Sequence, residues 1–320
     1  MNVSLPGNQS RLKRRLSTIV LIGMVGLIAI YPLTGCASLG GLPGAGTTSV
    51  IRPSVTSTPT TELATPVTTT LHHSQPSIWK LVWSDEFNGP QGAPPDPNKW
   101  TPEIGGEGWG NQQLEYDTNN KNAYQDGQGH LVLEARKNDA MMYQCWYGPC
   151  QYTSAFLATS GHFDFTYGLL EASIKIPSGQ GIWSAFWLLG NNCATVGWPT
   201  CGEIDVMENI GNEPDLIYGT AHGPGYFSGT YKLQHGAFSD NFHVFALQWD
   251  PSHLYFYLDG VNFYTVDRTT LTNKAFWVYD HPFSIILNAP VGGVWPGSPD
   301  STTVFPQKMY VSYLRLFKNG

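Results

Sequence analysis

The segment that most constrains this chain is Gly202-Glu203-Ile204-Asp205-Val206-Met207-Glu208-Asn209. Its apolar residues favour an extended strand, and its three acids stand at i, i+2 and i+5. Side chains alternate faces along a regular strand, so Glu203 and Asp205 share one side while Glu208 points away. A β-bulge near Val206-Met207 would add one residue and return Glu208 to the side of the other two acids. Ile204, Val206 and Met207 read as buried, so the acids face something other than the core. The spacing therefore predicts a sheet with one apolar face and one acid-bearing face.

Such a face has a definite chemistry open to it. Two carboxyl groups about 5 Å apart are what a retaining glycosidase uses, one as nucleophile and one as acid/base. Asp205 between them would keep Glu203 ionised and oriented, while the crowding of negative charge would hold Glu208 protonated. The plainer alternative is a solvated, merely acidic strand face. Interleaving with buried residues, and bulges being frequent beside active sites, favour the chemical reading.

Strand signals recur through the rest of the chain. Leu170 to Ile176 alternates strictly, with Glu171, Ser173 and Lys175 on one side. His253 to Val261 reads as strand, Asp259-Gly260 turn, strand. Phe242–Trp249, Phe283–Leu287 and Met309–Phe317 read as more buried strands, and only Thr269–Trp277 suggests a short helix. With 35 glycines, 23 prolines and just 13% charged residues, the composition suits a turn-rich exported β protein. The expected fold class is all-β, a two-sheet antiparallel sandwich of about 240 residues.

The N-terminal part has a different character. Arg11, Lys13, Arg14 and Arg15 precede a largely apolar run from Leu16 to Leu33, the pattern of an export signal. That run ends Leu33-Thr34-Gly35-Cys36, which resembles the lipobox of bacterial lipoproteins and marks Cys36 for lipidation; an uncleaved membrane anchor is the alternative. Residues 37–77 are dense in Thr, Ser and Pro and lack the apolar content for a core, so they read as a tether. Three segments result: 1–36 export signal, 37–77 tether and 78–320 folded domain. The expected location is extracytoplasmic, at the membrane or cell surface.

Five cysteines leave one odd, and Cys36 is the natural odd one. Cys145, Cys150, Cys193 and Cys201 then suggest two disulfides in an exported domain. Three pairings are formally possible; the two local ones, 145 with 150 and 193 with 201, are preferred over a zinc site, whose usual ligand spacing is missing. The second would pin the loop leading into Glu203.

Residues 78–320 hold 23 acids against 12 Lys and Arg, about 11 net negative charges. Such a field tolerates a neutral polysaccharide and disfavours an acidic one, and no nucleic-acid footprint is visible, because the basic residues cluster only at Arg11, Lys13, Arg14 and Arg15. Aromatic rings stand where sugar would bind. Trp109 and Asn111 lie in a Gly-rich loop, as does Trp295, while Trp183 and Trp187 lie on the strand before Glu203. Trp187 equally suits a core. His222, one turn after the acid strand, could orient a carboxylate, touch sugar or be purely structural.

Taken together, Leu81-Val82-Trp83-Ser84-Asp85-Glu86-Phe87-Asn88-Gly89, Trp109-Gly110-Asn111, Glu203-Ile204-Asp205-Val206-Met207-Glu208 and Phe305-Pro306-Gln307 resemble glycoside hydrolase family 16 in its bacterial laminarinase-like branch. The resemblance spans residues 78–320. It implies a concanavalin-A-like jelly roll with an open concave cleft and endo-hydrolysis of β-1,3-glucan with retention. It also implies Glu203 as nucleophile, Asp205 as assisting acid and Glu208 as acid/base, with no cofactor. A monomer is expected. The spacing of the acids is similar to that of the bulged branch; enzymes of mixed-linkage glucan often have one residue fewer. Alternatives on the same fold are a β-1,3-1,4-glucanase, a transglycosylase and a non-catalytic carbohydrate-binding protein.

Some positions depart from the family pattern. Ser173 replaces an arginine read as lining the cleft, Ser184 a proline and Gln248 a glutamate. Ser312 replaces an aspartate that commonly helps hold a structural calcium on the convex side.

Overall fold

The computed structural model describes residues 79–320 apart from Asn138. The export signal, the lipobox Cys36 and the tether expected over 1–77 lie outside those residues.

The strands, numbered in chain order, form two large antiparallel sheets, as the recurrent alternation predicts. The sheet that carries the acids runs in the order β15 (Tyr226–Lys232), β14 (Leu216–His222), β13 (Glu203–Ile210), β12 (Trp183–Gly190), β19 (Phe283–Asn288), β9 (Phe156–Ala158), β2 (Thr101–Glu103). The short β10 (Asp164–Phe165) also pairs with β19. The back sheet runs β18 (Val261–Asp267), β17 (His253–Leu258), β16 (His243–Trp249), β11 (Gly168–Lys175), β20 (Gln307–Asn319), β5 (Leu131–Ala135), β4 (Ala123–Gln125), with β1 (Trp79–Asp85) also on β20.

Alternation explains what holds the two together. From the acid-bearing sheet, Phe186, Leu188, Ile204, Val206, Met207, Ile285 and Leu287 point inward. They meet Ala172, Ile174, Phe245, Leu247, Phe256, Leu314 and Leu316 from the back sheet. Each large side chain removed from water there contributes roughly 1.5–3 kcal/mol before chain entropy is counted. Asp259 and Gly260, both at positive φ (47° and 79°), close β17 onto β18, the turn chemistry that Asp-Gly predicts. The helix expected over Thr269–Trp277 is instead two 3₁₀ turns, Arg268–Thr270 and Lys274–Phe276. Asp267 and Asn273 cap them by accepting from Thr269 N and Ala275 N, which satisfies local donors without a longer helix.

The motif around Ser84-Asp85-Glu86-Phe87 is architectural. Asp85 accepts from Trp100 Nε1 at 2.9 Å, and Glu86 is forked onto Arg315 at 2.9 and 2.7 Å. Trp249 is buried and donates Nε1–H to Tyr279 O at 3.1 Å. Both preferred disulfides form, with Cα separations of 5.1 Å for Cys145–Cys150 and 4.8 Å for Cys193–Cys201, so no zinc is held there.

One sequence expectation is overturned. Ser173 lies on β11 in the back sheet, opposite Val244 and Tyr313, while its neighbours Ala172 and Ile174 face the core. Its side chain therefore points to the outer surface of that sheet, so the position lines no cleft. Gln248, too, is a back-sheet residue, on β16, within 3.5 Å of Tyr257 Oη. Ser312 offers a neutral hydroxyl in place of a carboxylate, so that position supplies one anionic oxygen fewer to a calcium ion.

Candidate active site

The bulge appears where the acid spacing requires it. Against β12, Phe186 faces Met207 and Trp187 faces Asp205, so Val206 is the extra residue. Against β14, Asp205 faces Thr220 and Glu208 faces Tyr218, three residues on one strand opposing two on the other. Val206 and Met207 both turn into the core, and Glu203, Asp205 and Glu208 emerge on the opposite face. Directly opposed residues share a face, so register reveals the floor around them. One row reads Tyr218, Glu208, Ala185, Asn288, Phe156, Glu103 from β14 to β2. The next reads Thr220, Asp205, Trp187, Ile286, Ala158, Thr101.

Each acid has its own partner. Trp198 Nε1 donates to Glu203 Oε2 at 3.1 Å. His222 Nε2 lies 3.1 Å from Asp205 Oδ2 and 3.7 Å from Glu203 Oε1, so of its three readings the orienting one fits. Trp183 Nε1 donates to Glu208 Oε1 at 3.1 Å. Trp183 is only 6% exposed, so it positions Glu208 and offers little ring surface to sugar, contrary to its expected binding role. Trp295 meets Trp183 edge-on at 5.4 Å and Tyr218 at 4.9 Å, which places it beside Glu208. On the Glu203 side, His222 contacts Trp198 and Tyr226.

Farther along the floor, Trp187 lies on the acid-bearing face and outside the main core, its Nε1 donating to Asn288 Oδ1 at 2.9 Å. It packs with Trp109 against Phe156 and Ile286. Asn111 is tied in through its backbone carbonyl, which accepts from Val294 N at 2.8 Å and so couples the Trp109 loop to the Trp295 loop.

Electrostatics follow from crowding three carboxyls on a floor largely shielded from water, with Asp205 and Glu208 buried and Glu203 partly so. Burial, then the charge of Asp205, pushes Glu203 up to about 8, against smaller lowering effects from His222 and Trp198. Burial likewise pushes Asp205 up to about 8. Glu208 rises well above the usual carboxylate range through burial and then the charge of Asp205, consistent with a proton retained there. One expected role changes. Asp205 does not by itself keep Glu203 ionised, because like charge opposes ionisation; only the smaller influences of His222 and Trp198 work toward the ionised form. Glu203, Asp205 and His222 present ligand atoms within 4.8 Å of one another, the only such cluster among the described residues that could hold a metal ion.

Sequence reasoning missed Trp198, Tyr218, Tyr226 and Asn288 as site residues. Trp198 was within reach, since it stands inside the disulfide loop that runs into Glu203. The other three become visible only through strand register.

Comparison with known proteins agrees with this arrangement. A "Beta-glucanase" of Rhodothermus marinus is 38% identical over 255 residues, covering 75% of this chain and 85% of that protein. The laminarinase catalytic domain from Thermotoga maritima MSB8 superposes with a TM-score of 0.71 at 46% identity, covering 76% of this chain and 99% of that one. An endo-β-1,3-glucanase from Pyrococcus furiosus gives 0.70 at 44% identity, with 76% and 96% covered. The profile of glycosyl hydrolases family 16 matches residues 110–314, which include the whole acid strand and both tryptophans that hold its outer carboxyls, and the chain belongs to that family.

Proposed function

We propose that the protein is an endo-hydrolase of β-1,3-glucan that works by double displacement with retention of configuration. The observation that carries this reading is the register of β13, in which one extra residue, Val206, sets Glu203, Asp205 and Glu208 on a single open face. In the first step Glu203 attacks the anomeric carbon while Glu208 gives its proton to the departing glycosidic oxygen. In the second, Glu208, now ionised, takes a proton from water, and that water displaces Glu203 from the sugar. His222 and Trp198 stabilise the ionised form of Glu203 before attack, and Trp183 sets the direction of the Glu208 carboxyl. The linkage preference is supported by the laminarinase and endo-β-1,3-glucanase relatives, and the aromatic floor formed by Trp187 and Trp109 suits a neutral glucan.

Incubation with laminarin, mixed-linkage glucan and agarose, beside Glu203→Gln, tests it. The expected result is β-1,3-linked oligosaccharides from laminarin, with the anomeric configuration of the first-formed product retained by NMR. Glu203→Gln should lose roughly a thousandfold or more, as removal of a nucleophile does. Cleavage of agarose alone, or binding of laminarin without cleavage, would sink the proposal.

We further propose export and lipidation at Cys36, on the basic and apolar pattern before it. Partition of the parent, and not of Cys36→Ser, into a detergent phase is the corresponding test.

A further inference from the structure

The acids sit on the third strand of seven, so the floor extends four strands toward β2 and only two toward β15. Trp109 lies at Phe156 on β9, three strands from Glu208 or roughly 14 Å at about 4.8 Å per strand. Against the loop that carries Trp109 stands a small hairpin, β6 (Gln144–Cys145) and β7 (Gly148–Pro149), closed by the Cys145–Cys150 disulfide. Its tip carries Trp146.

Trp146 is both fixed and open. Its backbone N donates to Gly106 O at 2.8 Å, and its Nε1–H to Gln113 O at 2.8 Å. Gly108 has φ +81°, and a Cβ there would come within 2.8 Å of Trp146 Cδ1, so the indole lies directly against the loop that carries Trp109. Tyr147 braces it edge-on at 5.4 Å. Despite these restraints, 50% of Trp146 remains exposed. A ring needed only to cover the loop would be buried; a ring held still with one side in water is a preorganised stacking platform. Beside it is a hollow of about 250 Å³ lined by Gly106, Glu107, Gln144, Cys145 and Trp146, small against ordinary ligand pockets and suited to a single pyranose unit. Glu107 and Gln144 supply polar groups at its rim for sugar hydroxyls.

We propose that Trp146, with Glu107 and Gln144, forms a remote sugar-binding subsite that grips a β-glucan chain beyond Trp109. The inference rests on the glucanase reading above and adds a specificity-determining element to it: preference for long chains. The disulfide holds the platform against the Trp109 loop, three strands from Glu208, a span that only a chain several units long covers.

The test compares long laminarin with a β-1,3-linked glucose trimer, using the parent, Trp146→Ala, Trp146→Phe and Glu107→Ala/Gln144→Ala. For Trp146→Ala, KM on laminarin should rise about five- to tenfold, the size of one lost aromatic contact. Its kcat should stay within about twofold and its kinetics on the trimer should not change. Trp146→Phe, which keeps a ring and loses the bond to Gln113, should recover most of the laminarin KM; a mere structural strut would not be rescued. Titration of Glu203→Gln with a β-1,3-linked hexamer should weaken by the same factor when Trp146→Ala is added. Equal effects on both substrate lengths, or none on either, would overturn this proposal alone. A parent inactive on laminarin and trimer alike would overturn the glucanase reading and this one with it.

Discussion

Trp198, held inside the loop closed by the Cys193–Cys201 disulfide, reaches forward five residues to donate its indole N–H to Glu203 Oε2 at 3.1 Å. A structural cross-link thereby sets the environment of a reacting carboxyl. Trp198→Phe removes that bond and leaves the ring. The charge-assisted hydrogen bond is worth about 1.5–3 kcal/mol, so kcat/KM on laminarin should fall at least tenfold. Because the bond lowers the Glu203 pKa, its loss should raise it, and the acid limb of the kcat/KM–pH profile should move to higher pH. An unchanged limb would show that the indole has no hold on Glu203.

Glu208 and Glu203 should fail differently. In Glu208→Ala the nucleophile remains, so an aryl β-glucoside oligomer with a good leaving group should still form the glycosyl-enzyme at a near-parental rate. Hydrolysis of laminarin, which needs the leaving oxygen protonated, should fall about 100-fold or more. Added azide should then accelerate turnover and yield a β-configured glycosyl azide. Glu203→Gln should show neither burst nor azide product. Identical behaviour of the two variants would contradict the assigned division of labour.

The buried acids make stability depend on pH with a definite sign. Glu203 and Asp205 are pushed up to about 8, whereas in the unfolded chain each titrates near the ordinary carboxylate range. Between about pH 4.5 and 8 the folded protein therefore binds more protons than the unfolded one, and stability falls as pH rises through that window. Glu203→Gln removes one such group. Its Tm relative to the parent should be near equal at pH 4 and higher by about 2 °C or more at pH 8. A Tm advantage that is constant across pH would rule out this origin.

The bulge can be tested by length. Deleting Val206 leaves the three acids at i, i+2 and i+4, which an unbulged strand also places on one face. That variant should fold and retain measurable hydrolysis, with some loss of stability from the apolar side chain removed. Inserting an alanine after Glu203 shifts the register so that Asp205 and Glu208 turn into the apolar layer. Circular dichroism and laminarin assays should show lost folding or lost activity for the insertion only.

How much of this could be read without coordinates differs from residue to residue. The acid strand, its bulge, the two local disulfides and the sandwich class follow from local rules, because alternation, turn chemistry and short cysteine spacing each act over a few residues. Ser173 shows the limit. Its strand was correctly read, but which sheet that strand joined was not, since Ser173 pairs with Val244 on β16 and Tyr313 on β20, both far along the chain. The same holds for Tyr218 beside Glu208 and for Asn288 beneath Trp187: each depends on which strands lie side by side. Chemistry written within one strand was determined by sequence alone. The floor of the site, the partner of each acid and the seating of Trp146 on the Trp109 loop were decided by tertiary structure, because long-range strand order and register arise from the cooperative burial of the whole core.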